Sequence, residues 1–306
     1  MSAGTTGVRS ATVKYRAAGI TPTMDGQAAA PAAGTVLNAL ANGRGSAFAI
    51  DEYTTATVEL AADSDVEGTV ADAPDADTEL IETCLTRVTR RFGNGQGGTI
   101  RTESDVPMAS GLKSSSAAAN ATVLATLDAL GAADEVAREE AARVGVEAAR
   151  DAGVTVTGAF DDASASMLGG VTVTDNTTDE LLARAEREWS VLVYTPPGRA
   201  YSADADVTRC RQVTPVADLA ADLALDGEFG TAMTVNGLAF CAALEFPADP
   251  VVAAMDRVAG VSLSGTGPSY TAVGTRQTLE AVAERWAEYD GRTWLTTTQT
   301  EGTRVQ

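Results

Sequence analysis

The feature that most limits what this chain can fold into is the run Pro107-Met108-Ala109-Ser110-Gly111-Leu112-Lys113-Ser114-Ser115-Ser116-Ala117, which leads straight into an alanine-rich segment. Pro107 and Gly111 mark a turn, and the residues after it read as a helix over Gly111–Leu130, stopped by Gly131. A helix start leaves backbone N–H groups without partners and carries a partial positive charge. Glycine and serine are small enough for an anion to reach those amides, a layout suited to phosphate. Lys113 sharpens the point. A cation in the first turn opposes the helix dipole by about 0.3–1 kcal/mol, and a bound phosphate would reverse that sign. After Met24 it is the only lysine in the chain. Taken alone, the segment also fits an ordinary serine-capped helix with a surface lysine.

Composition narrows the classes further. The chain has 306 residues, 44% hydrophobic but only 5% aromatic, so its core must be built mainly from Ala, Val and Leu. Asp and Glu number 42 against 22 Lys and Arg, a net charge of −20. Such a surface repels nucleic acid and anionic membranes, and neither is expected as a partner. The acidic, lysine-poor, alanine-rich balance resembles proteins of salt-loving archaea. Histidine is absent, which removes His-based triads, His metal sites and His general bases. Cys84, Cys210 and Cys241 show no CxxC spacing and read as reduced, mostly buried thiols of a cytoplasmic protein. No apolar run is long enough for a membrane span.

Residues 1–23 differ from the rest: Arg9, Lys14 and Arg16 stand there with no acid. They read as a non-native or disordered extension, with Met24 as the native start, or alternatively as a strand around Ala11–Tyr15. Beyond Met24, strand and helix patterns alternate. A strand is expected over Gln27–Ala33 and a short helix over Thr35–Ala41. Gly45–Asp51 and Thr54–Leu60 read as a hairpin. Asp77–Arg91 is an amphipathic helix with Leu80, Ile81, Cys84, Leu85 and Val88 on one face. Asp134–Ala152 reads as a helix capped by Asp134. Strands are expected at Gly98–Ser104, Gly170–Thr174, Trp189–Tyr194, Val261–Leu263, Tyr270–Gly274 and Arg292–Thr298. Helices are expected over much of 200–260 and at Thr278–Tyr289. The pattern is α+β, with a break near Asn176-Thr177-Thr178-Asp179.

The run Pro107–Ala117 resembles the P-x-x-x-G-L-x-S-S-A phosphate loop of the GHMP kinases. Lysine at 113, where most of that superfamily has glycine, is similar to its archaeal shikimate kinase branch. Residues 31–51 resemble that branch's N-terminal motif, and residues 261–274, with Ser264-Gly265-Thr266-Gly267-Pro268, resemble the C-terminal glycine loop of the superfamily. The resemblance implies a GHMP kinase fold: an N-terminal half like ribosomal protein S5 domain 2 and a ferredoxin-like C-terminal half. The expected division is an ATP-binding domain over 24–180 and a C-terminal domain over 181–306. It also implies ATP and Mg²⁺ as cofactors and shikimate as acceptor, phosphorylated at its 3-hydroxyl on the way to chorismate and the aromatic amino acids. A homoserine kinase or another GHMP small-molecule kinase is the alternative. Oligomeric state stays open.

The same resemblance assigns site residues. Gly158–Gly170 is similar to the family's catalytic aspartate segment, in which the acid is followed by Ser four and Gly seven residues on. Asp162 meets that spacing with Ser166 and Gly169, whereas Asp161 meets Ala165 and Leu168. Asp162 is therefore the expected catalytic aspartate, which would accept or orient the proton of the acceptor hydroxyl while Lys113 and Mg²⁺ neutralise charge on the transferred phosphoryl group. Either Asp could instead cap a short helix. Ser115 and Glu147 are the expected Mg²⁺ ligands, although Glu147 could equally pair with Arg143 or Arg150. For the acceptor, Asn38, Arg44, Ser46, Asp161, Gly265, Thr266 and Gly267 are candidates. Arg44 is the candidate cation for a carboxylate by a bidentate contact. Asn120 could touch substrate or bond between helices.

Overall fold

The computed structural model describes residues 24–306 apart from 63, 72, 156, 199 and 201–203. The expectation for residues 1–23 lies outside the described residues.

The spine is a long antiparallel pair, β1 (Met24–Leu37) and β2 (Arg44–Ala61). Gly97–Ser104 forms β4, which pairs with the far end of β2, and Val66–Val70 forms β3, which lies parallel to β4. Glu79–Phe92, α1, makes the crossover that a parallel pair requires. The near end of β2 pairs with β5 (Val171–Asp175), β5 pairs with β6 (Glu180–Ala185), and β11 (Arg304–Val305) edges β1. Over this sheet lie α2 (Ser114–Ala129), α3 (Arg138–Asp151) and α4 (Phe160–Leu168). A second antiparallel sheet has the order β10 (Arg292–Thr297), β7 (Ser190–Thr195), β9 (Tyr270–Gly274), β8 (Gly260–Leu263). Its helices are α5 (Val207–Arg211), α6 (Thr214–Leu225), α7 (Phe229–Ala243), α8 (Asp249–Ala254) and α9 (Arg276–Trp286). The mixture is α+β. The division expected at residue 180 falls at the start of β6, whose pairing with β5 keeps it in the first sheet.

Small residues set the layer spacing. In α2, Ala117, Ala119, Ala121, Val123, Leu124, Ala125 and Leu127 are all buried, so the helix is apolar nearly all round and lies at the centre of the core. A Cβ at Gly26 of β1 would stand 2.1 Å from the Ala125 carbonyl oxygen, so strand and helix meet backbone to backbone. All three cysteines are free and buried, as their sequence setting suggests. Among the described residues no helix is long and apolar enough to cross a membrane.

Several local expectations are corrected. The hairpin over 45–60 is one strand. Its apparent break is a bulge: Pro31 pairs with Tyr53 and Ala33 with Ala49, so β2 carries extra residues where proline has no N–H to offer. Thr35–Leu37 continues β1 instead of opening a helix, because Thr35 and Leu37 find ladder partners in Ala47 and Ser46. The central helix begins at Ser114, not Gly111, since Gly111 (φ 84°) and Lys113 (φ 64°) are left-handed. The next helix begins at Arg138, not Asp134.

Candidate active site

Two helices open into one cleft, each after a residue held in left-handed conformation. Lys113 (φ 64°) precedes α2, and Ala159 (φ 52°) precedes α4. Neither helix start has a side-chain cap. The first turn of α4 carries Asp161 and Asp162, whereas that of α2 carries no acid, only Ser114, Ser115 and Ser116. The cleft between them is lined by Lys113, Asp161, Asp162, Asn38, Gly265 and Thr266, with Thr157 and Ala159 at its edge.

The loop before α2 is anchored from both sides. Leu112 and Ala117 are fully buried, and Ser110 donates its hydroxyl to the Pro107 carbonyl at 2.8 Å. Met108 is exposed, and the Ala109 carbonyl accepts from the Ala200 amide. Ser269 N–H donates to Ser110 O, and Ser264 Oγ donates to Gly111 O at 2.8 Å. A Cβ at Gly111 would stand 2.3 Å from Ser264 O and 2.9 Å from Gly267 O, so only glycine lets the two loops meet.

A polar clasp then ties the glycine loop to the end of β1. Thr35 Oγ1 accepts from Gly265 N–H at 2.8 Å, and Asn38 Nδ2 donates to Gly265 O at 2.9 Å. Asn38 is held in turn by Asn236, whose Oδ1 accepts from Asn38 N–H and whose Nδ2 donates to Ser262 Oγ. A Cβ at Gly265 would lie 3.2 Å from Lys113 Nζ, which places that loop beside the ammonium group.

Lys113 Nζ stands 2.7 Å from Asp162 Oδ1, with the two side chains 9% and 15% exposed. Burial, and then the charge of Asp161, raise the Asp162 pKa to about 7 against the pull of Lys113. Asp161 is buried, its Oδ1 accepting from Asn176 Nδ2 at 2.7 Å. Asn176 Oδ1 accepts from both Asp161 N–H and Thr174 Oγ1.

The structure thus brings together Lys113, Asp162, Asp161, Asn38, Gly265 and Thr266, with Gly267 packed on the Gly111 turn. It sets others apart. Glu147 lies on α3 in a surface groove against α1, where Arg87 Nη1 donates to it at 2.7 Å and Asp151 shares the same guanidinium. Its partner is therefore Arg87, 60 residues away in sequence, not a cation in the cleft. Arg44 is half-exposed, 3.8 Å from Asp222, and does not line the cleft. Ser46 is fully buried in β2. Asn120 bonds between helices, its Nδ2 donating to Ala163 O beside Asp162. Asn236 and Asn176 were not legible as site residues. Asn176 stood in a polar run that reads as a break, and its partner is 15 residues away. Among the described residues no group of three or more Cys, Asp or Glu could hold a metal ion.

Residues 79–170 match the family described as the GHMP kinases N terminal domain. A shikimate kinase of Halobacterium salinarum is 64% identical over 283 residues, 92% of this chain and 100% of that protein. A shikimate kinase of Methanococcoides burtonii is 50% identical over 86% of this chain and 92% of its own length. Among solved structures, a homoserine kinase from Cytophaga hutchinsonii superposes with a TM-score of 0.71 at 16% identity, covering 96% of this chain and 100% of that one. The mevalonate kinase of Methanococcus jannaschii also gives 0.71 at 16% identity, covering 92% and 99%. At such identities these two likenesses speak for the fold alone.

Proposed function

The chain belongs to the archaeal shikimate kinases of the GHMP superfamily, and from that membership we propose that it transfers the terminal phosphoryl group of ATP to the 3-hydroxyl of shikimate. The products are ADP and 3-phosphoshikimate, a step toward chorismate and the aromatic amino acids. The observation that carries the mechanism is the Lys113–Asp162 pair at the mouth of an acid-free helix start. The amides of Ser114–Ser116 and the ammonium of Lys113 receive the nucleotide phosphates, with the loop Pro107–Ala117 wrapped around them. Phosphate competes with Asp162 for Lys113. As the ammonium turns toward phosphate, Asp162 loses the contact that lowers its pKa and becomes a stronger base.

Asp162 then takes the proton of the acceptor hydroxyl. The oxygen–phosphorus bond forms as the bond to the leaving phosphate breaks, and the electron pair departs on ADP. Such transfers proceed through a loose transition state, so positioning and charge stabilisation supply most of the rate. Mg²⁺ suits the oxygen-rich setting, because it keeps several waters and binds through few protein ligands plus substrate phosphates. Ser115, exposed in the first turn of α2, would hold it together with the nucleotide's own oxygens. When bound it neutralises charge on the phosphates. The proposed setting is the cytoplasm, a reading that the free thiols support.

The test is an ADP-release assay with shikimate or homoserine as acceptor. ADP production that depends on shikimate, with none above background for homoserine, is expected. The opposite pattern would discard the acceptor assignment and keep the phosphate site.

A further inference from the structure

We propose that Asp161 recognises a second hydroxyl, on the carbon next to the one that is phosphorylated, and so selects acceptors that carry a vicinal diol. The proposal rests on the shikimate reading above and adds a residue-level source of specificity to it. Asp161 and Asp162 are consecutive in the first turn of α4 and both line the cleft with Lys113. Only one of them can take the proton of the reacting hydroxyl, and Asp162 is the one paired with Lys113. Asp161 is held differently. Its Oδ1 is fixed by Asn176 Nδ2 at 2.7 Å, and its backbone N–H is fixed by the same residue's Oδ1 at 3.1 Å. Asn176 is itself buried and locked by Thr174.

The other carboxylate oxygen, Oδ2, lies against β2 at Gly45, where a Cβ would come within 2.3 Å of it. No hydrogen bond to Oδ2 is made by the described residues, so a carboxylate only 5% exposed keeps an acceptor in reserve. An acceptor at the cleft that no described residue fills can take a hydroxyl from the ligand, which adds a charge-assisted hydrogen bond. Two carboxylates one residue apart suit hydroxyls on neighbouring carbons. In shikimate the hydroxyl next to the 3-position is the one at C4, and homoserine has none there. A site that is built to bond a hydroxyl rejects the analogue that lacks it far more strongly than an apolar pocket can.

The experiment compares kcat/KM for shikimate and 4-deoxyshikimate in wild type and in Asp161→Ala. Wild type should prefer shikimate on the order of 100-fold or more. Asp161→Ala should reduce that preference to below about tenfold, with the KM for ATP unchanged. If Asp161→Ala does not fold, Asn176→Ala serves instead. It leaves the carboxylate in place but unpinned, and it should raise the KM for shikimate and weaken the preference. An undiminished preference in the variant that folds overturns the proposal. Equal use of both acceptors by wild type overturns the role of Asp161 while leaving shikimate kinase activity standing. No turnover of shikimate by wild type overturns the reading beneath it, and the proposal with it.

Discussion

The openings of α2 and α4 are alike in backbone and opposite in charge. Each follows a left-handed residue and lacks a side-chain cap, and both point into one cleft. The α4 start carries its own anions in Asp161 and Asp162, as the helix dipole favours. The α2 start has no acid and a lysine instead, so its dipole and its cation repel each other until an anion arrives. The difference teaches which opening is a binding site. A helix start that satisfies itself is part of the scaffold or presents a base, whereas one left electrostatically incomplete awaits a ligand. The Lys113–Asp162 contact joins the two, with Asp162 holding the place that phosphate is expected to take.

Removing the base breaks the comparison most severely. Asp162→Ala should lower kcat on the order of 10²–10⁴-fold, measured under saturating ATP and shikimate. Making α2 resemble α4 is the next largest change. Ser114→Asp completes the dipole, so the variant should melt higher, by about 0.3–1 kcal/mol in stability. The same carboxylate would face the phosphates, and ATP binding should weaken about tenfold or more, since like charges in contact cost several kcal/mol. Unchanged nucleotide affinity in a folded Ser114→Asp would remove the phosphates from that helix start.

The titration of Asp162 sharpens the contrast. Its carboxyl has a pKa of about 7 in the folded chain, raised by burial from the ordinary value of 3.8. Between those two values the folded protein holds a proton that the unfolded chain has released, so this group's contribution to stability falls as pH rises through that window. Asp162→Asn, which cannot ionise, should therefore lose less of its melting temperature than wild type between pH 5 and pH 8, as thermal unfolding can check. Activity has the opposite dependence, because only the ionised carboxylate acts as base. The kcat/KM should fall as pH drops through about 7. The smallest effect belongs outside the cleft. Arg87→Ala cuts two ion pairs, to Glu147 and Asp151, whose members are a third to half exposed, and it should cost about 0–1 kcal/mol per pair with kcat within about twofold of wild type.

What could be read from the sequence was chemistry held in consecutive residues. The Pro107–Ala117 loop is one string, and its turn, serines and lysine announce an anion site without any long-range partner. The α1 and α9 helices were legible because a 3.6-residue period survives on one face. Pairings across the chain were not legible. Glu147 meets Arg87 because α1 and α3 lie side by side, a fact of packing that helical spacing within α3 cannot supply. Asn236 reaches Asn38 across 198 positions and Asn176 reaches Asp161 around a strand, so neither leaves a local trace. The single long β2 was hidden for a related reason, since its bulge is defined by Pro31 on another strand.

The account turns on the α2 start as the seat of the nucleotide phosphates, and a crystal structure with a non-hydrolysable ATP analogue and Mg²⁺ tests it most directly. The predicted result is phosphate oxygens on the amides of Ser114–Ser116, with Lys113 Nζ moved from Asp162 onto phosphate. A triphosphate seated in the groove between α1 and α3, with Lys113 still against Asp162, would contradict it.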